Sequence, residues 1–169
     1  QLAACFVLPV EDSLKGIFGT LEKMTVIHQS GGGTGFNFSK LRPRGDIVKS
    51  TKGVASGPVS FMTVYDKATD VVKQGGKRRG ANMAILNADH PDIIEFITAK
   101  AKEGMLTNFN VSIAATDTFM DAAEKNKEFS LLNPRTGKEA KKASAKEIFD
   151  TAINTAWQCG DPGIVFIDE

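Results

Sequence analysis

The chain has 169 residues, 41% hydrophobic and 24% charged, with 21 Lys+Arg against 20 Asp+Glu and a formal charge of +1. That length and apolar fraction suit one globular domain with a buried core, and disorder is not the default. Near-neutral charge excludes a global field for nucleic acid or membrane, so any anion binding has to be local.

Taken in order, Leu2-Ala3-Ala4-Cys5-Phe6-Val7-Leu8-Pro9 is an apolar run that suits a strand buried on both faces. Asp12 or Ser13 then caps a helix whose Leu14, Ile17, Phe18, Leu21 and Met24 follow three-and-four spacing, ending near residues 28–30. Gly31-Gly32-Gly33-Thr34-Gly35 leads into a short strand, Phe36-Asn37-Phe38, and a polar, basic segment over 39–52. Ser56-Gly57-Pro58 starts a second helix carrying Phe61, Met62, Tyr65, Ala68, Val71 and Val72. After Gln74-Gly75-Gly76-Lys77-Arg78-Arg79-Gly80 come a strand over 81–86 and a helix opened by Asp89-His90-Pro91. A strand over 106–114 precedes a helix capped by Thr116 or Asp117, and a hairpin pairs 129–132 with 138–140 around Asn133-Pro134-Arg135-Thr136-Gly137. Ser144 and Glu147 form a capping box before a helix ending at Gly160, and residues 163–169 make the last strand. Five strands alternating with helices predict a parallel sheet with right-handed crossovers and functional groups at the carboxyl ends of the strands.

No apolar run is long enough to span a bilayer and no basic n-region leads into a signal core, so a cytoplasmic protein is expected. The chain opens and closes in strand-like runs and reads as a piece of something longer. Cys5 and Cys159 form neither a disulfide framework nor a zinc spacing, and no metal site is expected. Composition alone makes each cysteine a buried small hydrophobe, although Cys5 is expected near the carboxyl end of its strand, where α/β proteins keep their chemistry. The glycines at 31–35 lack a P-loop ending and precede a strand, so close backbone packing explains them better than phosphate binding. Lys40, Arg42, Arg44, Lys49 and Lys52, with Lys77, Arg78 and Arg79, make an anion site if the two basic loops lie side by side. His28 is a poor general base, because a helix end favours cationic imidazole; His90 reads as part of a cap, and Asp12 more as a cap than as a ligand. Composition and spacing therefore reach an α/β protein that binds a phosphorylated ligand.

Four stretches carry a resemblance: Leu2 through Ser13, His28-Gln29-Ser30-Gly31-Gly32-Gly33-Thr34-Gly35-Phe36-Asn37-Phe38-Ser39-Lys40-Leu41-Arg42-Pro43, Gln74 through Met83, and Gly160-Asp161-Pro162-Gly163-Ile164. Together they closely resemble the catalytic subunit of ribonucleotide reductase, of the adenosylcobalamin-dependent (class II) type. The resemblance implies a ten-stranded α/β barrel of two five-stranded parallel halves, with residues 1–169 as a single partial domain, the first half. An N-terminal helical region and the second half-barrel then lie elsewhere. It implies that Cys5 reduces the ribose 2′ position and forms a disulfide with a partner in the second half, restored by a dithiol reductant. It further implies that a deoxynucleoside triphosphate or ATP effector binds at Asp12, Ser13, Lys40 and Arg42. The loop of Gln74, Gly75, Gly76, Lys77, Arg78 and Arg79 then touches both effector and the base of the ribonucleotide substrate. Helices around 14–29 and 56–73 resemble those that pair two subunits. The radical-forming cysteine of the family has no counterpart here, and Cys159 does not match it, so the isolated chain is expected to be inactive. Adenosylcobalamin contacts are expected mostly outside these residues.

Two other readings compete with this one. A non-catalytic nucleotide- or RNA-binding module would use Arg78 and Arg79 to clamp phosphates, although near-neutral charge weighs against RNA. An exported domain would join Cys5 to Cys159 in a structural disulfide.

Overall fold

The computed structural model describes residues 3–48, 53–74 and 78–168. Its elements run β1 (Cys5–Pro9), α1 (Leu14–Gln29), β2 (Gly33–Asn37), β3 (Ile47–Val48), β4 (Gly53–Val54), α2 (Pro58–Val71), β5 (Lys73–Gln74) and β6 (Arg78–Arg79). They continue with β7 (Asn82–Asn87), α3 (Ile93–Thr98), β8 (Phe109–Ala115), α4 (Asp117–Glu124), β9 (Glu128–Leu132), β10 (Glu139–Ser144), α5 (Ala145–Cys159) and β11 (Gly163–Phe166). The five expected strands form one sheet in the order β1-β2-β7-β8-β11, parallel throughout.

Local chemistry sets the helix ends. Ser13 is extended and its hydroxyl accepts the Gly16 N–H at 3.0 Å, which makes Ser13 the cap of α1 and leaves Asp12 free for another task. α2 starts with Pro58 after Gly57, whose φ of 81° suits a residue without Cβ. A Cβ there would stand 2.7 Å from Asp92 Oδ2. Thr116 caps α4, Ser144 accepts the Glu147 N–H at 3.2 Å to start α5, and Gly160 ends it in the left-handed region.

The register separates the sheet into unequal faces. Leu8, Phe36, Ala84, Leu86, Val111 and Ile113 point to the helices and join the core with Ile17 and Met24 of α1, Met62 and Tyr65 of α2, Phe96 of α3 and Ile148 of α5. Tyr65 ties α2 to α1 by donating its hydroxyl to the Ile17 carbonyl at 2.6 Å. The alternate residues, among them Cys5, Val7, Gly35, Met83 and Val165, lie on the face away from those helices. β1, expected to be buried on both faces, is instead an edge strand, and Val7 is 86% exposed. Its continuous apolar run matches two covered faces, and only one is covered by the described residues.

Close packing among the 31–35 glycines is present at Gly32, though against a side chain where backbone was expected: a Cβ there would come 2.6 Å from Ile27 Cγ2. The hairpin around residue 135 forms with longer arms, β9 and β10. Among the described residues no helix is long and apolar enough to cross a membrane.

Candidate functional site

The described part of the loop between β2 and α2 is held by several side chains. Asp12, just beyond β1, accepts the Arg42 backbone N–H at 3.1 Å, its Nε–H at 2.9 Å and its Nη2–H at 2.8 Å. The Asp12 and Arg42 side chains are 23% and 21% exposed, so the pair is mostly withdrawn from water. Lys40 reaches Glu11 at 3.2 Å on the surface, while Arg44 pairs with Glu95 at 2.6 Å and donates its backbone N–H to Asp92 at 2.8 Å. His90 does take part in the start of α3, as expected: its Nδ1 accepts the Asp92 N–H at 3.0 Å, which leaves Nε2–H to donate to the Leu41 carbonyl at 2.8 Å. Burial lowers its pKa and keeps the ring neutral.

Farther along the loop, Asp46 accepts two guanidinium nitrogens of Arg135, at 3.0 and 3.2 Å, and Asn133 Nδ2–H at 3.1 Å. The Arg135 hydrogen bonds lead in holding the Asp46 carboxyl down to about 2. Sequence reading found the Asn133-Pro134-Arg135 turn but missed its partner, which lies 89 residues away from Arg135 in the chain.

These contacts shape two openings. A cavity of about 470 Å³ lies between the first turn of α1, the loop and α2, lined by Asp12, Ser13, Leu14, Ile17, Arg42 and Phe61. An apolar wall beside an oriented guanidinium suits a ligand with a flat apolar body and an anionic tail. A second cleft, of about 870 Å³, sits at the carboxyl ends of β1, β2 and β7, where Asn37, Lys40, Asn87 and Arg135 meet.

The second basic loop is a short antiparallel hairpin, β5 with β6, joining α2 to β7. Gln74, Arg78 and Arg79 lie on its strands, whereas Gly75, Gly76 and Lys77 fall outside the described residues, as do Lys49 and Lys52. The described parts of the two basic loops stand at opposite ends of α2, whose 14 residues span about 21 Å. The condition for one shared cationic site is therefore not met within a single chain.

Cys5 opens β1 rather than closing it, so its thiol lies at the amino end of the sheet, on the face away from the helices, beside Gly33. Both cysteines are free and exposed. They also belong to opposite sides of the fold: Cys5 is on edge strand β1 and Cys159 ends the helix before edge strand β11, with four strand spacings, about 19 Å, between the edges. A bond between them is out of reach, which removes the disulfide reading. His28 is not the cationic helix-end residue expected from the dipole: it is 1% exposed, its Nε2 lies 2.9 Å from Thr34 Oγ1, and burial lowers its pKa. Desolvation of the charged ring outweighs the dipole.

A family model described as ribonucleotide reductase, barrel domain, matches residues 3–169. The chain belongs to that family. Among curated relatives, a vitamin B12-dependent ribonucleoside-diphosphate reductase of Thermoplasma acidophilum is 59% identical over 100% of this chain and 22% of its own length. One of the same description from Mycobacterium tuberculosis is 54% identical over 99% of the chain and 24% of its own length. A vitamin B12-dependent ribonucleotide reductase of Streptomyces avermitilis is 36% identical over 99% of the chain and 20% of its own length. This chain of the ribonucleotide reductase family thus spans under a quarter of each of these relatives.

Proposed function

We propose that the chain is part of a ribonucleotide reductase that converts ribonucleotides to deoxyribonucleotides by radical chemistry, contributing the first half of the barrel, two allosteric loops and one redox thiol. The observation that carries this reading is the sheet with helices packed on one face and an exposed thiol, Cys5, on the other. A second five-stranded half would cover that face and supply the thiol that pairs with Cys5 once both have reduced the ribose 2′ position; a dithiol reductant then restores them.

Asp12, Ser13, Lys40 and Arg42 take a deoxynucleoside triphosphate or ATP effector in the apolar-walled cavity. The hairpin around Gln74 to Arg79 carries its identity to the substrate base. Exposed Leu14, Phe18 and Val26 on α1 and Val64 and Val71 on α2 give two copies a surface on which to pair. Antiparallel pairing about a twofold axis would bring the first loop of one protomer to the second loop of its partner, offsetting their separation within one chain.

Adenosylcobalamin would supply the radical; the relatives' names describe them as vitamin B12-dependent. Among the described residues both histidines are buried, His28 beside Thr34 and His90 between Leu41 and Asp92, so neither stands at the surface to meet the cofactor. We therefore place the cofactor's contacts mostly in other parts of a reductase and expect the isolated chain to be inactive.

The RNA-binding alternative rests on Arg78 and Arg79, and the near-neutral charge of the chain, +1, weighs against it. Equilibrium binding separates the two. The reductase reading expects a preference for deoxynucleoside triphosphates that is weakened in Lys40→Ala. Steeply salt-dependent binding to single strands, without that preference, would refute it.

A further inference from the structure

We propose that His28 is a positioning residue through which α1 sets the resting place of the second basic loop, and with it the choice of substrate. The inference rests on the effector-loop reading above. α1 joins the two places concerned: Asp12 and Ser13 stand at its first turn and His28 in its last, 16 residues or about 24 Å along the axis.

The ring is held by a directed chain of hydrogen bonds. The single hydroxyl proton of Thr34 goes to Asn82 Oδ1 at 2.7 Å, so the 2.9 Å contact with His28 has Nε2–H as donor. Asn82 Nδ2–H donates to Thr69 Oγ1 at 2.9 Å, and the Thr69 hydroxyl to the Tyr65 carbonyl at 2.8 Å. The chain crosses from α1 through β2 and β7 to α2, and it fixes which atom donates at each step.

What remains is Nδ1 of His28, an acceptor that is buried and has no hydrogen-bond partner. Gly80, the residue after β6, lies directly on it: a Cβ at Gly80 would stand 2.4 Å from Nδ1 and 2.6 Å from Cγ. The glycine methylene therefore seals the lone pair at the root of the hairpin. With Gly80 on the ring, packing is gained and an acceptor is left unsatisfied. With Gly80 moved off, packing is lost and Nδ1 becomes open to an N–H or a water. Two positions balanced in this way are biased by a small movement of α1.

The test uses the intact reductase carrying this segment, with His28→Phe and Gly80→Ala. Effector affinity is read by equilibrium binding, and substrate choice as the ratio of two ribonucleotides reduced in competition, with and without effector. His28→Phe keeps the ring against Gly80 but offers no acceptor. It should bind effector within about twofold of wild type, keep the effector-free ratio, and shrink the effector-induced change in ratio by about 2- to 30-fold. Gly80→Ala should shift the effector-free ratio itself. A His28→Phe enzyme that answers effector as wild type does, or loses its answer only in step with effector affinity, overturns the inference. If that variant does not fold, His28→Gln, which keeps a donor for Thr34 without a ring under Gly80, is held to the same loss of response. A wild-type enzyme whose ratio ignores effector removes the underlying reading as well, and that outcome is visible before any variant is made.

Discussion

Asp12→Asn sets two effects of one carboxylate against each other. Removing the negative charge relieves its repulsion of a bound triphosphate; for each unit of phosphate charge standing roughly 6 Å away on the water side of the cavity this is worth about 0.7 kcal/mol. The same change weakens the grip on Arg42, which Asp12 holds through Nε at 2.9 Å and Nη2 at 2.8 Å in a mostly buried setting. Hydrogen bonds to charged groups of this kind are worth about 1.5–3 kcal/mol. Orientation outweighs repulsion, leaving a net loss of roughly 1–2 kcal/mol, or about 5- to 30-fold weaker effector binding. Asparagine retains an oxygen for the Arg42 backbone N–H, so the loop keeps its path and the comparison isolates the guanidinium. Isothermal titration of a deoxynucleoside triphosphate into both proteins at fixed ionic strength reads the difference. If Asp12→Asn binds as tightly as wild type, or more tightly, the assignment of Asp12 as the residue that aims Arg42 is wrong.

Two further outcomes follow from the anchoring of the first loop. The Asp46 carboxyl is held at about 2, below its ordinary 3.8, so its contribution to stability is present above the ordinary value and lost as pH falls from about 4 toward 2. The difference in thermal midpoint between wild type and Asp46→Asn should be largest above pH 4 and close toward pH 2; a gap independent of pH would count against the Arg135 pairing. Gly57→Ala puts a Cβ 2.7 Å from Asp92 Oδ2 in a backbone conformation of φ 81°. Such strain costs about 1–3 kcal/mol and should lower the melting point by about 2–12 °C, checked by circular dichroism.

Much of the architecture was legible in the chain because its signals are local. Of the apolar positions read at helical spacing in α1, Ile17 and Met24 are buried, whereas Leu14 and Phe18 are exposed because the stripe that faces the sheet is narrower than the apolar pattern. Pro58, Ser144 and Gly160 mark element ends by their own backbone chemistry. What failed depended on neighbours distant in sequence. Cys5 and Val7 read as interior because an apolar run does not say how many faces of its sheet are covered. Asp12 read as a cap because its competitor, Ser13, is adjacent, whereas the partner that claims it, Arg42, lies 30 residues on. The hairpin of the second basic loop was missed because strands of two residues carry no period, and the Asp46–Arg135 pair because nothing local joins positions so far apart.

The edges of the sheet have a consequence for handling the protein. Among the described residues β1 and β11 each have a sheet neighbour on one side only. Backbone N–H and C=O groups along the outer side of each are ready to template another strand. Beside the β1 edge lies Val7, apolar and almost fully in water. A barrel that closes has no such borders, so a segment separated from the rest of a reductase would be prone to self-association before its chemistry could be assayed.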